Sequence, residues 1–184
     1  MKILYIAITV LSAARSMSHN VVFNGTGFGT YYYDVAQVDV CGTSFSNQNL
    51  GDVECSFTTG LSLDDIASNY VVAMNHTQLV QDPAKYCGKR VVVSVNGQRS
   101  SHLLFIGDGC VRCAQGSHTT WNPEEAAGLD FSCSVLDELM DNQACNDGYA
   151  RISWEIIDQT LYQFNTTDIG ASRDPVSAST KFCS

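Results

Sequence analysis

Two aspartates in this 184-residue sequence stand in settings suited to acid and base chemistry: Asp130, between Leu129 and Phe131, and Asp34, which ends the run Gly29-Thr30-Tyr31-Tyr32-Tyr33. Hydrolysis of a glycosidic bond with inversion needs such a pair. One carboxylic acid protonates the leaving oxygen and one carboxylate activates water, with the two groups about 6.5–9.5 Å apart. The apolar neighbours of Asp130 predict partial burial, which raises a carboxyl pKa and keeps the proton that a general acid must donate. The competing reading gives both residues to architecture. Asp130 then caps the helix that follows it or the turn before that helix, and Asp34 serves a turn, where asparagine would do as well.

Aromatic residues nearby suggest a carbohydrate as the partner. In a strand Tyr31 and Tyr33 share one face and Tyr32 takes the other, so the pair Tyr31 and Tyr33 can stack on pyranose rings. Trp121, in the polar segment 114–128 just before Asp130, is the candidate for an exposed sugar platform, with Glu124 and Glu125 as further carboxylates beside it. Trp154 lies in an alternating run and reads as core. Asp108 opens Asp-x-Cys-x-x-Cys, where it either lines the groove or makes a structural hydrogen bond at a strand end. The four histidines are scattered, and no Ser/His/Asp or Cys/His arrangement suits nucleophilic catalysis. Gly25-x-Gly27-x-Gly29 lacks the strand-to-helix setting of a phosphate-binding loop, and no cofactor is expected.

Residues 1–16 read as a secretory signal peptide: Lys2 gives the positive start, Ile3 to Leu11 the apolar run, and Ser12-Ala13-Ala14 the cleavage site. The apolar run is too short to span a membrane, so the expected protein is secreted, extracellular and free of the membrane once the signal is cut. Loss of Lys2 and Arg15 deepens the formal charge of -9 by two. This acidity argues against nucleic acid and polyanions, which need a basic footprint, and leaves neutral glucans or chitin without penalty. Eight cysteines in an oxidising compartment (Cys41, Cys55, Cys87, Cys110, Cys113, Cys133, Cys145 and Cys183) imply disulfides, with the pairing open. A zinc site from Cys110, Cys113, His118 and Cys133 is the weaker alternative, and no metal is expected. Sequons at Asn24, Asn75 and Asn165 are glycosylation candidates.

The elements that must position these residues are mostly short strands: 27–35, 70–74, 89–95, 101–106 and 150–157. Asn96-Gly97 signals a tight hairpin turn. One helix is expected over 135–140, capped from Ser132-Cys133-Ser134, and 47–65 reads as a long acidic loop. The pattern gives an all-β fold, a small closed barrel with one short helix and disulfide cross-links. One barrel domain over 25–158 is followed by a Ser/Thr-rich tail over 159–184, and a monomer is expected.

Several stretches in fixed order resemble a known group. They are Gly29 to Asp34 with Cys41-Gly42, then Val71 to Asn75, Tyr86-Cys87-Gly88-Lys89, Gly107 to Cys113, Leu129 to Ser132, and Ile152 to Ile156. Together they resemble the six-stranded double-psi β-barrel of the expansin, barwin and rare-lipoprotein-A group, and above all the single-domain loosenins. The resemblance implies an open groove for a linear polysaccharide with Asp130 at its centre. Gly128 stands where expansins have histidine, and Phe131 where leucine is usual. Family-45 endoglucanases are similar too: their first motif, Thr-Arg-Tyr-aromatic-Asp, matches Thr30 to Asp34 except that Tyr31 replaces arginine, and it would make Asp34 the base.

Three functions follow from these readings. The favoured one is a secreted expansin- or loosenin-like protein that binds and loosens neutral cell-wall polysaccharide without hydrolysis. The others are an inverting endoglucanase using Asp130 and Asp34, and a secreted effector or inhibitor that grips a protein with its loops.

Overall fold

The computed structural model describes residues 20–56 and 59–164. The signal segment, Asn165 and Cys183 lie outside the described residues. Among the described residues nine strands form: β1 (Val21–Tyr33), β2 (Asp39–Val40), β3 (Thr43–Ser44), β4 (Val71–Asn75), β5 (Lys89–Val95), β6 (Gln98–Arg99), β7 (Leu104–Cys110), β8 (Gly128–Ser132) and β9 (Tyr149–Thr160). Six of them run β5-β7-β4-β8-β1-β9, and β9 pairs back onto β5 to close the ring. Closure leaves no bare edge within that ring. The pairs β1–β8 and β4–β7 are parallel, and the other neighbours are antiparallel. This is the all-β, six-stranded double-psi barrel expected from the sequence, with β6 added at β5 and β2–β3 as a separate hairpin.

Alternation fills the barrel from inside. Along β9, Ala150, Ile152, Trp154 and Ile156 are buried and join one core cluster with Leu129 and Phe131 of β8 and Val91 and Val93 of β5. Asp130 falls between Leu129 and Phe131 and so projects from the opposite face of β8. At the start of β8 the chains come too close for side chains: a Cβ on Gly128 would sit 1.7 Å from the carbonyl oxygen of Phe28. Asn96 and Gly97 both take positive φ, as a type I′ turn requires, and close the hairpin from β5 to β6.

Helices are more numerous than the sequence suggested. Besides Cys133–Leu139, short α-helical segments form at Ser46–Asn49, Leu63–Ile66, His76–Gln81, Pro83–Tyr86 and Ala144–Asp147. The acidic stretch 47–65 is therefore partly ordered, its last helix held by a capping box between Ser62 and Asp65. The Cys133–Leu139 helix is capped by the Ser132 side chain, which accepts from Val135 N–H. Asp130 is thus not the cap. Strand β9 continues to Thr160, and Tyr162 stacks on Phe105 with ring centroids 5.1 Å apart, so packing carries on past Asp158.

Among the described residues three disulfides form: Cys41–Cys145, Cys55–Cys87 and Cys110–Cys113. The last takes both sulfurs out of the zinc alternative. Cys133 is buried, its sulfur 3.2 Å from that of Cys41.

Candidate functional site

Parallel pairing sets Thr30 of β1 beside Asp130 of β8, and antiparallel pairing sets Ala73 of β4 on the other side of Asp130. Ala73 in turn pairs with Asp108 of β7. Two aspartates therefore flank one small residue, about 10 Å apart across two strand spacings. The outer face of the barrel here carries Thr30, Tyr32, Asp108 and Asp130, with the Cys110–Cys113 turn folded beside them.

Asp130 is 8 % exposed. Its Oδ1 accepts from Arg112 Nη2 at 2.6 Å, and its Oδ2 lies 3.1 Å from the Cys110 sulfur, which is in a disulfide and has no proton to give. Arg112 also donates to Thr30 Oγ1. Burial raises the Asp130 pKa above the ordinary carboxylate range; Arg112 opposes this, and the charge of Asp108 adds to it. The general-acid direction inferred from Leu129 and Phe131 is present, but a paired guanidinium works against the neutral form.

Asp108 has both oxygens engaged. Oδ1 accepts from the backbone N–H of Glu54 and of Gly109, and Oδ2 accepts from the Tyr32 hydroxyl at 3.0 Å. Burial, followed by the charge of Asp108, pushes the Tyr32 pKa well above the ordinary tyrosine value, so this phenol stays a donor.

Asp34 stands apart from this group. It lies four residues beyond Thr30, the partner of Asp130, a displacement of about 13 Å at strand rise. Its side chain is fully buried. Oδ1 accepts from Ala36 N–H, Gln37 N–H and Asn69 Nδ2, and Oδ2 from the N–H and hydroxyl of Ser134, at 2.5–3.0 Å. The carboxylate closes a turn and at the same time receives the N-terminus of the Cys133–Leu139 helix, where backbone N–H groups and the helix dipole favour a negative charge. A base so enclosed has no lone pair open to a water. The endoglucanase reading of Thr30 to Asp34 thus meets a structural aspartate.

The tyrosine strip is sorted differently from the alternation reading. A register shift between Tyr31 and Tyr33 against β8 breaks the period of two. Tyr33 is wholly buried, its hydroxyl donating to the carbonyls of Ser68 and Val71, so it cannot stack on a sugar. Tyr31 is half-buried against Phe45, and Tyr32, on the face opposite the expected stacking pair, is the one that reaches Asp108.

Trp121 is half-buried rather than free in its loop. It stacks on Tyr149 with ring centroids 4.0 Å apart and planes at 12°, touches Phe28, and has the Arg112 guanidinium 5.9 Å from its ring centre. Arg112 thus joins the aromatic pair to Asp130. Glu124 and Glu125 are exposed. Asn24 is exposed on β1, whereas Asn75 is half-buried with Oδ1 capping the helix that starts at His76. Sequence reasoning missed Arg112, Thr30 and Tyr149. Arg112 was hidden as a spacer between two cysteines, although its position in Asp-x-Cys-x-x-Cys fixes it beside the turn.

No family model matches this chain, and neither does any curated protein. Among solved structures, the apo form of the expansin from Clavibacter michiganensis is similar, with 18% identity and a TM-score of 0.43 over 75% of this chain and 52% of that one. A point mutant of that expansin in complex with cellohexaose is similar at 14% identity and a TM-score of 0.44, over 74% of this chain and 51% of that one. The chain spans about half the length of these expansin structures. The likeness is one of fold.

Proposed function

We propose that the protein is a secreted, expansin- or loosenin-like protein that binds neutral cell-wall polysaccharide, such as β-glucan, along the face carrying Asp130, and loosens it without hydrolysis. The observation that carries this reading is the burial of Asp34 beneath five donors, which leaves the Asp130 acid without the base that an inverting mechanism requires. The Trp121–Tyr149 stack offers an apolar platform beside an ion pair whose polar atoms can bind sugar hydroxyls. The Clavibacter expansin solved with cellohexaose is a protein of this barrel type with a β-glucan oligomer as its ligand. An acidic chain meets no repulsion from an uncharged glucan.

A pull-down with cellulose, chitin and soluble β-glucan tests this. Retention on a neutral glucan, weakened by Trp121→Ala and Asp130→Asn in folded protein, supports the proposal. Absence of retention on all three overturns it and favours a protein-binding role.

A further inference from the structure

We propose a second binding site at the mouth of the barrel, where β1 and β8 begin and β4 ends, shaped for an uncharged ligand that bears a carbonyl acceptor beside a small apolar group. Among polysaccharide substituents, the acetamido group of an N-acetylated amino sugar has that chemistry. A cavity of about 340 Å³ opens there. This size falls within the range of small-molecule sites.

Phe23, Met74 and Leu129 give the cavity apolar walls, and Trp154, Asn75 and Gln78 give it polar ones. Trp154 is 8 % exposed, yet its Nε1 has no hydrogen-bond partner among the described residues. Buried N–H groups are rarely left without an acceptor, because the lost hydration is then not replaced. Gly25 fixes the indole in this place: a Cβ there would lie 2.4 Å from Trp154 Cζ2, so only glycine lets the ring lie across β1.

The other polar groups select the same kind of ligand. Asn75 Oδ1 is used by Gln78 N–H, and Gln78 Nε2 by the Tyr86 hydroxyl, which leaves the Asn75 amide N–H groups for an acceptor. No Asp, Glu, Lys or Arg lines the cavity, and its one ionisable side chain is the His118 imidazole, which can itself donate to a carbonyl oxygen. A carbonyl oxygen would answer the indole N–H, and a methyl group would pack on the apolar walls. Leu129 lines this cavity while Asp130, its neighbour, faces outward; Cys113 of the turn beside Asp130 borders the cavity too, so the two sites adjoin but present different side chains.

The chain has two tryptophans, so ¹⁵N-labelled protein shows two indole N–H resonances, which Trp121→Phe assigns. Titration with N,N′-diacetylchitobiose is expected to shift the Trp154 indole resonance saturably, and cellobiose to leave it in place. Trp154→Phe keeps most of the ring and removes the donor; it should weaken binding of the acetylated sugar about tenfold. An unmoved Trp154 resonance overturns the proposal, as does an equal shift with both sugars. A shift confined to Trp121 also overturns it, and would place the sugar on the outer groove alone. Should the phenylalanine variant fail to fold, the wild-type resonance decides.

Discussion

The Arg112 guanidinium donates to Asp130 Oδ1 at 2.6 Å while burial holds the same carboxyl above its ordinary pKa range. Two opposed effects therefore meet on one carboxylate of the candidate site. Burial wins on balance, and the charge on Asp108 reinforces it. Because the folded-state pKa lies above the unfolded value of about 3.9, this group's contribution to stability is fully present below about pH 4 and is lost as pH rises through the folded pKa. We expect the component of thermal stability that falls with rising pH in this window to be removed by Asp130→Asn. Arg112→Met should move the same fall to higher pH, since the cation that lowers the pKa is gone. Melting curves from pH 3 to 7 on the three proteins check this, and an unchanged profile in Asp130→Asn would contradict it.

Asp34 is expected to matter for folding. Asparagine keeps the shape but turns an acceptor into an NH₂ group, and whichever way the amide is flipped it meets backbone N–H donors, from Ser134 on one side or Ala36 and Gln37 on the other. Asp34→Asn should cost about 1–3 kcal/mol, and Asp34→Ala more. Denaturant unfolding measures it. The turn alone would have tolerated asparagine; the second role, at the helix N-terminus, is what forbids it.

The two tryptophans should separate cleanly. Trp154→Ala removes a buried side chain from the core and should cost about 3–5 kcal/mol. Trp121→Ala, in a half-buried stack on Tyr149, should cost less stability and more affinity for glucan. Melting temperature and retention on cellulose, measured on the same preparations, test the contrast. The reverse ranking of stability would show that the Trp121–Tyr149 stack is structural.

What the sequence revealed follows from which features are local. The run Lys89–Val95 was legible as a strand to the residue, because its valines and the Asn-Gly turn after it are local signals. The helix cap was legible for the same reason as lying within Ser132-Cys133-Ser134, and the structure gives it to Ser132, with the helix starting two residues earlier than expected. Strand β8 carries no such signal, since all five of its residues are buried and leave no alternation to read. The sorting of Tyr31, Tyr32 and Tyr33 failed at a bulge, which depends on the register against β8, a strand about 100 residues away in the chain. Arg112 was invisible for a similar reason: its meaning comes from Asp130 and Thr30, which reach it only through the barrel.

The most direct measurement is the release of new reducing ends from cellulose and β-glucan by purified wild-type protein, with bound protein quantified in the same tubes. The proposed function predicts binding with no release above a protein-free control, because Asp34, the base of the inverting reading, is buried beneath five protein donors. Release of soluble oligosaccharides that disappears in folded Asp130→Asn and Asp108→Asn would contradict the account and establish a hydrolase.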